Sequence, residues 1–89
     1  MPISGSPKKL AQDVASGFQQ FNQSSLRQYG VEDLKIILFN LNIVLREIRS
    51  KQIPLEDMEA LKEKNNKLRR ITQAVNVIQS FASLKNLKI

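Results

Sequence analysis

Apolar residues recur at helical spacing through the middle of the chain, between Val31 and Ile48. The steps between them alternate between three and four residues, which is the period of an α-helix. The members of this first set are Leu34, Ile37, Leu38, Leu41, Val44, Leu45 and Ile48. A second set lies on the opposite side of the same helix and consists of Ile36, Phe39 and Ile43. Because a helix that is apolar nearly all round cannot face water along its length, we expect two neighbouring helices to bury it.

Two further helical segments flank this central one. Near the N-terminus, a weaker helical repeat consists of Leu10, Val14, Phe18 and Phe21. After Pro54 the apolar stripe consists of Leu61, Leu68, Ile71, Val75, Ile78 and Ala82. The pattern therefore predicts an all-α fold with helices at about 8–28, 31–51 and 55–85. Since short connections place consecutive helices antiparallel, we expect a three-helix up-down-up bundle whose last two helices form a long hairpin.

The residues at the predicted helix ends support these bounds. Ser6 and Pro7 suit the cap and the first position of the first helix. Gly30 is a helix stop, because glycine adopts the left-handed conformation at low cost. Pro54 suits the first turn of the third helix. Residues 1–7 are rich in Pro, Gly and Ser, so we expect a flexible lead-in followed by one domain over 8–89.

Composition narrows the class of protein. The chain has 89 residues, enough for one domain, and its 42% apolar and 25% charged residues argue against disorder. It has no cysteine and no histidine, so disulfides, thiolate zinc sites and imidazole catalysis are excluded. The longest apolar run, Ile36 to Phe39, is too short to span a membrane, and the N-terminus does not have the pattern of a secretory signal. We therefore expect a soluble, cytoplasmic protein.

The net charge of +6 raises the question of nucleic-acid binding. The candidate phosphate-binding residues are Lys62, Lys67, Arg69 and Arg70. Glu59 and Glu63 lie among these bases at pairing distance on a helix, and no aromatic residue accompanies them for base stacking. We interpret the set as a solvated helix face, and nucleic-acid binding is the alternative.

Self-association is expected from the unequal lengths of the last two predicted helices. The third would extend beyond the second by about ten residues, and its apolar end would lie against little in a monomer. The candidate interface residues there are Val77, Phe81 and Leu84. We predict a homo-oligomer, most simply a dimer. The phenylalanines are most simply core residues, but Phe39, together with Ile43, is the alternative anchor for a partner.

Two asparagines interrupt the apolar central helix, and their position leaves two alternatives open. Asn40 and Asn42 either face solvent on a narrow polar strip or include one buried amide that sets the register of a helical seam.

Few residues are suited to catalysis. The carboxylates gather at helix N-termini, where helix capping explains them, and Glu56, Asp57 and Glu59 match no metal-binding loop. The three glycines are isolated and form no phosphate loop. We expect no metal and no cofactor. The sequence favours a non-enzymatic helical interaction module, an adaptor, regulator or assembly factor, and the alternative is a small basic nucleic-acid-associated protein.

Overall fold

A computed structural model, which describes residues 6–87, shows an all-α chain. In this range the helices are α1 (Pro7–Ser16), α2 (Gln23–Leu26), α3 (Val31–Ser50) and α4 (Met58–Leu84), and there is no strand. Helices α1, α3 and α4 all pack on one another, and α2 packs on α4. The predicted fold class is therefore confirmed. Residues 1–5 of the predicted lead-in, and residues 88 and 89 of the predicted domain, lie outside the described residues.

The first predicted helix is two helices, which corrects the single span 8–28. Helix α1 begins as expected, with the Ser6 hydroxyl accepting from the Lys9 N–H and Pro7 in the first turn. It ends at Gly17, whose φ of +86° is left-handed. The Phe18 N–H donates to the Asp13 carbonyl at 2.8 Å, so the chain turns away from the helix axis. The helix stops here because this glycine adopts the left-handed conformation without strain.

Helix α3 begins after Gly30, but the predicted conformation of that residue is wrong. Gly30 has a φ of −82° and caps the start of α3 in extended geometry. Its N–H donates to the Asp33 carboxylate at 3.3 Å, which satisfies one donor near the helix start. The left-handed glycine of this segment is Gly17, thirteen positions earlier.

Helix α4 begins at Met58, three residues later than predicted. The Asp57 carboxylate accepts from the Ala60 N–H at 3.1 Å and caps the helix. Pro54 lies in the turn before it, where its carbonyl accepts from the Asp57 N–H. The helix ends at Leu84, and the chain turns at a left-handed Asn86, after which the Leu87 N–H donates back to the Ala82 carbonyl at 2.8 Å.

The core is apolar and lies between α1, α3 and α4. Its largest fully buried side chains are Leu26, Leu34, Ile37, Leu41, Ile71 and Ile78. Within residues 6–87 no polar or charged residue is buried. No helix in this range is both long enough and apolar enough to cross a bilayer.

The longer helix of the hairpin is covered by the chain itself. Helix α3 has 20 residues and α4 has 27, so α4 does extend beyond its neighbour. The segment between α1 and α3 folds over this region, and its Phe21 and Leu26 are buried in the same core as Phe81. The expected exposed end of the hairpin is therefore largely covered within one chain.

Candidate protein-binding surface

Helix α3 has two apolar faces, and only one of them is covered. The covered face consists of Leu34, Ile37, Leu41 and Val44, all of which are buried. The second consists of Ile36, Phe39 and Ile43, which we name the outer stripe. Each member follows a buried residue by two positions, and two positions on an α-helix are about 200° apart. The expectation that two neighbours bury both faces is wrong, because α1 and α4 leave the outer stripe uncovered.

Phe39 is the most exposed member of the outer stripe. Its exposure is 67%, that of Ile36 is 42%, and Ile43 is half-buried. The three residues have i, i+3, i+7 spacing, which is the spacing that an apolar helix face presents to another helix. Because α3 is anchored along its other face, the outer stripe is held on a rigid element. Phe39 and Ile43 are the residues that the sequence offers as the alternative anchor for a partner, and Ile36 lies on the same face.

Polar groups border the outer stripe. The Asn40 amide donates to the Ile36 carbonyl at 2.8 Å, and Asn42 is exposed. Of the two alternatives for these asparagines, the structure supports the polar border, because neither amide is buried in a helical seam. At the N-terminal end, Lys35 pairs with Glu32 at 3.7 Å across one turn. The outer stripe is thus an apolar strip with a charged and polar rim.

The three residues predicted to form an interface at the end of α4 are not exposed together. Phe81 is only 5% exposed and belongs to the core, so it is not available to a partner. Val77 is half-buried and lines a cleft of about 110 Å³ with Phe21 and Arg70. Leu84 alone is exposed, at 67%. The three residues therefore form no continuous exposed patch.

Arg70 is a structural residue rather than part of an open basic face. Its guanidinium donates to the Ala15 carbonyl at 3.0 Å, across 55 positions of sequence. It also lies 3.8 Å from the Glu63 carboxylate. The carbonyl belongs to the last turn of α1, where orphan acceptors and the negative end of the helix dipole favour a cation. Arg70 therefore joins α4 to the C-terminus of α1.

The remaining basic residues do not form one strip with Arg70. Lys62 and Arg69 are exposed on the outer side of α4, and Arg69 donates to the Asn66 side chain at 3.3 Å. Lys67 is half-buried in an open groove between α1, α3 and α4. Lys64, which interrupts the apolar stripe of α4, donates to the Lys51 carbonyl at 2.8 Å and caps the end of α3. The four candidate phosphate contacts thus divide between two sides of α4, with Lys62 and Arg69 on the exposed side and Lys67 and Arg70 on the side near α1.

The carboxylates offer no metal centre in the described part of the chain. No group of three potential metal ligands occurs among residues 6–87. Asp57 is occupied as a helix cap, and Glu56 and Glu59 are exposed beside it. These acids are explained by the start of α4.

Comparison with known proteins finds no match to this chain. No model of a protein family matches the chain, and neither a curated protein nor a solved structure does so.

Proposed function

We propose that this protein is a small non-enzymatic interaction module, an adaptor, regulator or assembly factor, that binds another α-helix through the outer stripe of α3. The observation that carries this proposal is the exposure of an apolar face, centred on Phe39, on a helix whose opposite face is fully packed. Exposed apolar patches with a polar rim are typical of binding surfaces on soluble proteins.

The fold itself does not require these exposed side chains. Phe39 contributes little to the packing of the chain, because two-thirds of its surface is open to solvent. Covering it with a partner side chain would gain about 1–2 kcal/mol of binding free energy. A helix is the occupant that matches the spacing, since the outer stripe extends over about two turns.

The distribution of charge favours this proposal over nucleic-acid binding. Arg70 and Lys64 are engaged with backbone carbonyls, and Lys62 and Lys67 lie on different sides of α4. Phosphate binding requires several free cations on one surface. The outer stripe, in contrast, gathers its three apolar side chains on one line.

Capture from a native extract tests the proposal. We expect the wild type to retain a set of proteins, with or without nuclease, and Phe39→Glu to lose it. Phe18→Glu is the matched control, because Phe18 is 81% exposed but lies outside α3. Circular dichroism verifies that both variants keep their helix content. Retention by Phe39→Glu equal to wild type would contradict the proposal, and loss of all captured proteins on nuclease treatment would favour nucleic-acid binding.

A further inference from the structure

The charges of the outer stripe are arranged symmetrically about Phe39. Glu32 lies seven residues before it and Arg46 seven residues after it, all within α3. Residues seven apart share one face of a helix, and each charge lies about 10 Å along the axis from Phe39. The outer stripe thus has the Glu32 carboxylate, with Lys35 one turn away, at one end and the Arg46 guanidinium at the other, and Glu32 and Arg46 lie at equal distances from Phe39.

Neither charge is strongly engaged among residues 6–87. Glu32 pairs only with Lys35, at 3.7 Å, and its side chain is 85% exposed. Arg46 has no ion-pair partner among the described residues and is exposed. An exposed pair such as Glu32–Lys35 is weak, so both ends of the outer stripe are available for contacts across an interface.

We propose that the outer stripe binds a second copy of this chain, with the two α3 helices antiparallel about a two-fold axis at Phe39. The inference rests on the proposed function, because it names the helix that the outer stripe binds. Phe39 then packs on Phe39 of the partner subunit, and Glu32 lies opposite Arg46 of the partner subunit. The two-fold axis repeats that ion pair, so the contact is self-complementary and closed.

The charges also determine the orientation. In a parallel pair, Glu32 would lie against Glu32 of the partner subunit and Arg46 against Arg46 of the partner subunit, so both contacts would be repulsive. The antiparallel pair replaces two repulsions by two attractions and sets the positive end of each helix dipole beside the negative end of the other. With three apolar side chains from each copy, the interface is smaller than that of a permanent dimer. We therefore expect a reversible dimer with a dissociation constant in the micromolar range.

Sedimentation equilibrium of the purified full chain tests whether a second copy of the chain binds the outer stripe. We expect a monomer–dimer equilibrium that Phe39→Glu weakens about tenfold or more, since it places two carboxylates together on the axis. Phe18→Glu carries the same change elsewhere and leaves the equilibrium unchanged. A monomer at every concentration up to the high micromolar range would overturn the inference. The proposed function would survive that result if Phe39→Glu still loses the proteins captured from extract.

Charge reversal tests the orientation. Glu32→Arg and Arg46→Glu each place like charges at both ends of the antiparallel contact, so we expect either variant alone to weaken the dimer about tenfold. An equimolar mixture restores it, because each copy then meets the opposite charge. Glu59→Arg and Arg69→Glu on α4 are the matched controls, because they change the net charge equally and are also exposed.

The outcomes of the charge reversals are decisive in either direction. Weakening by each reversal alone, followed by recovery in the mixture, supports the antiparallel pair. A wild-type dimer that resists both reversals would overturn it in favour of a parallel pair or another surface, and a mixture that stays weak would overturn it in favour of another surface. If Glu32→Arg loses helix content at the start of α3, Glu32→Gln with Arg46→Gln replaces the reversals, and each is expected to weaken the dimer less strongly.

Discussion

The contact between Arg70 and α1 predicts that Arg70 contributes more to the stability of the fold than the neighbouring bases of α4 do. Its guanidinium reaches the Ala15 carbonyl at 3.0 Å, and its side chain is partly buried. A hydrogen bond from a charged donor contributes about 1.5–3 kcal/mol to stability when it is well buried. Because the Arg70 side chain is 36% exposed, we expect the lower part of that range, and the Glu63 pair at 3.8 Å adds little.

We therefore predict that Arg70→Gln lowers the free energy of unfolding by about 1–2 kcal/mol. Arg69→Gln is the matched control, since the same substitution at the adjacent, exposed residue removes only a contact with Asn66. That change is expected to stay within about 0.5 kcal/mol. A solvated helix face would give the same small effect at all four bases, and the contact with α1 sets Arg70 apart.

Urea denaturation followed by circular dichroism measures the difference. For a domain of this size the denaturant slope is about 1–2 kcal/mol per molar, so Arg70→Gln should shift the midpoint by about 1 M. Arg69→Gln should shift it by less than about 0.3 M. Measurement at a concentration well below the expected micromolar dissociation constant keeps self-association from contributing. Equal midpoints for the two variants would refute the claim that Arg70 joins α4 to α1.

Two further predictions concern the core and the break after α1. Leu41 is fully buried, so Leu41→Asp is expected to lower the free energy of unfolding by several kcal/mol and to abolish the cooperative thermal transition. Asn42→Asp, on the exposed side of the same helix, is the control and keeps the transition. An unchanged transition for Leu41→Asp would show that the core assignment is wrong. Gly17→Ala places a Cβ on a left-handed residue, 3.3 Å from the Arg70 side chain, so we expect the free energy of unfolding, measured by urea denaturation, to fall by about 1–2 kcal/mol. Gly30→Ala is the control and is expected to lower it by less than about 0.5 kcal/mol. Equal losses for the two variants would contradict the conformational argument.

The helices that the sequence predicts best are those with an uninterrupted period. The buried positions of α3 follow directly from the three- and four-residue steps, because that period is a local property of the chain. The break at Gly17 is different. Isolated glycines are tolerated inside helices, so a sequence pattern that continues through Phe18 and Phe21 does not reveal that the chain turns there.

The candidate surface was only partly predictable for a related reason. A helix with two apolar faces fits burial by two neighbours and exposure to a partner equally well, and the positions of α1 and α4 decide between them. The burial of Phe81 depends on a segment about 60 positions earlier in the chain that folds over α4. The sequence alone does not distinguish Arg70 from a surface base, because its partner Ala15 lies 55 positions away and only folding brings the two together. Contacts between distant positions leave no periodic signal in one sequence.

The absence of buried polar or charged residues among residues 6–87 has a consequence for the alignment of the helices. Apolar side chains attract without direction, so a helix displaced by one turn, about 5.4 Å, would still meet apolar neighbours. Three directional contacts of basic side chains oppose such sliding, one for each pair among the helices α1, α3 and α4. Lys8 pairs with Glu47 and joins α1 to α3. Lys64 donates to the Lys51 carbonyl and joins α4 to α3, and Arg70 donates to the Ala15 carbonyl and joins α4 to α1. The core of this protein thus supplies cohesion, and these contacts, of which that of Arg70 is part-buried and the other two are exposed, favour one register.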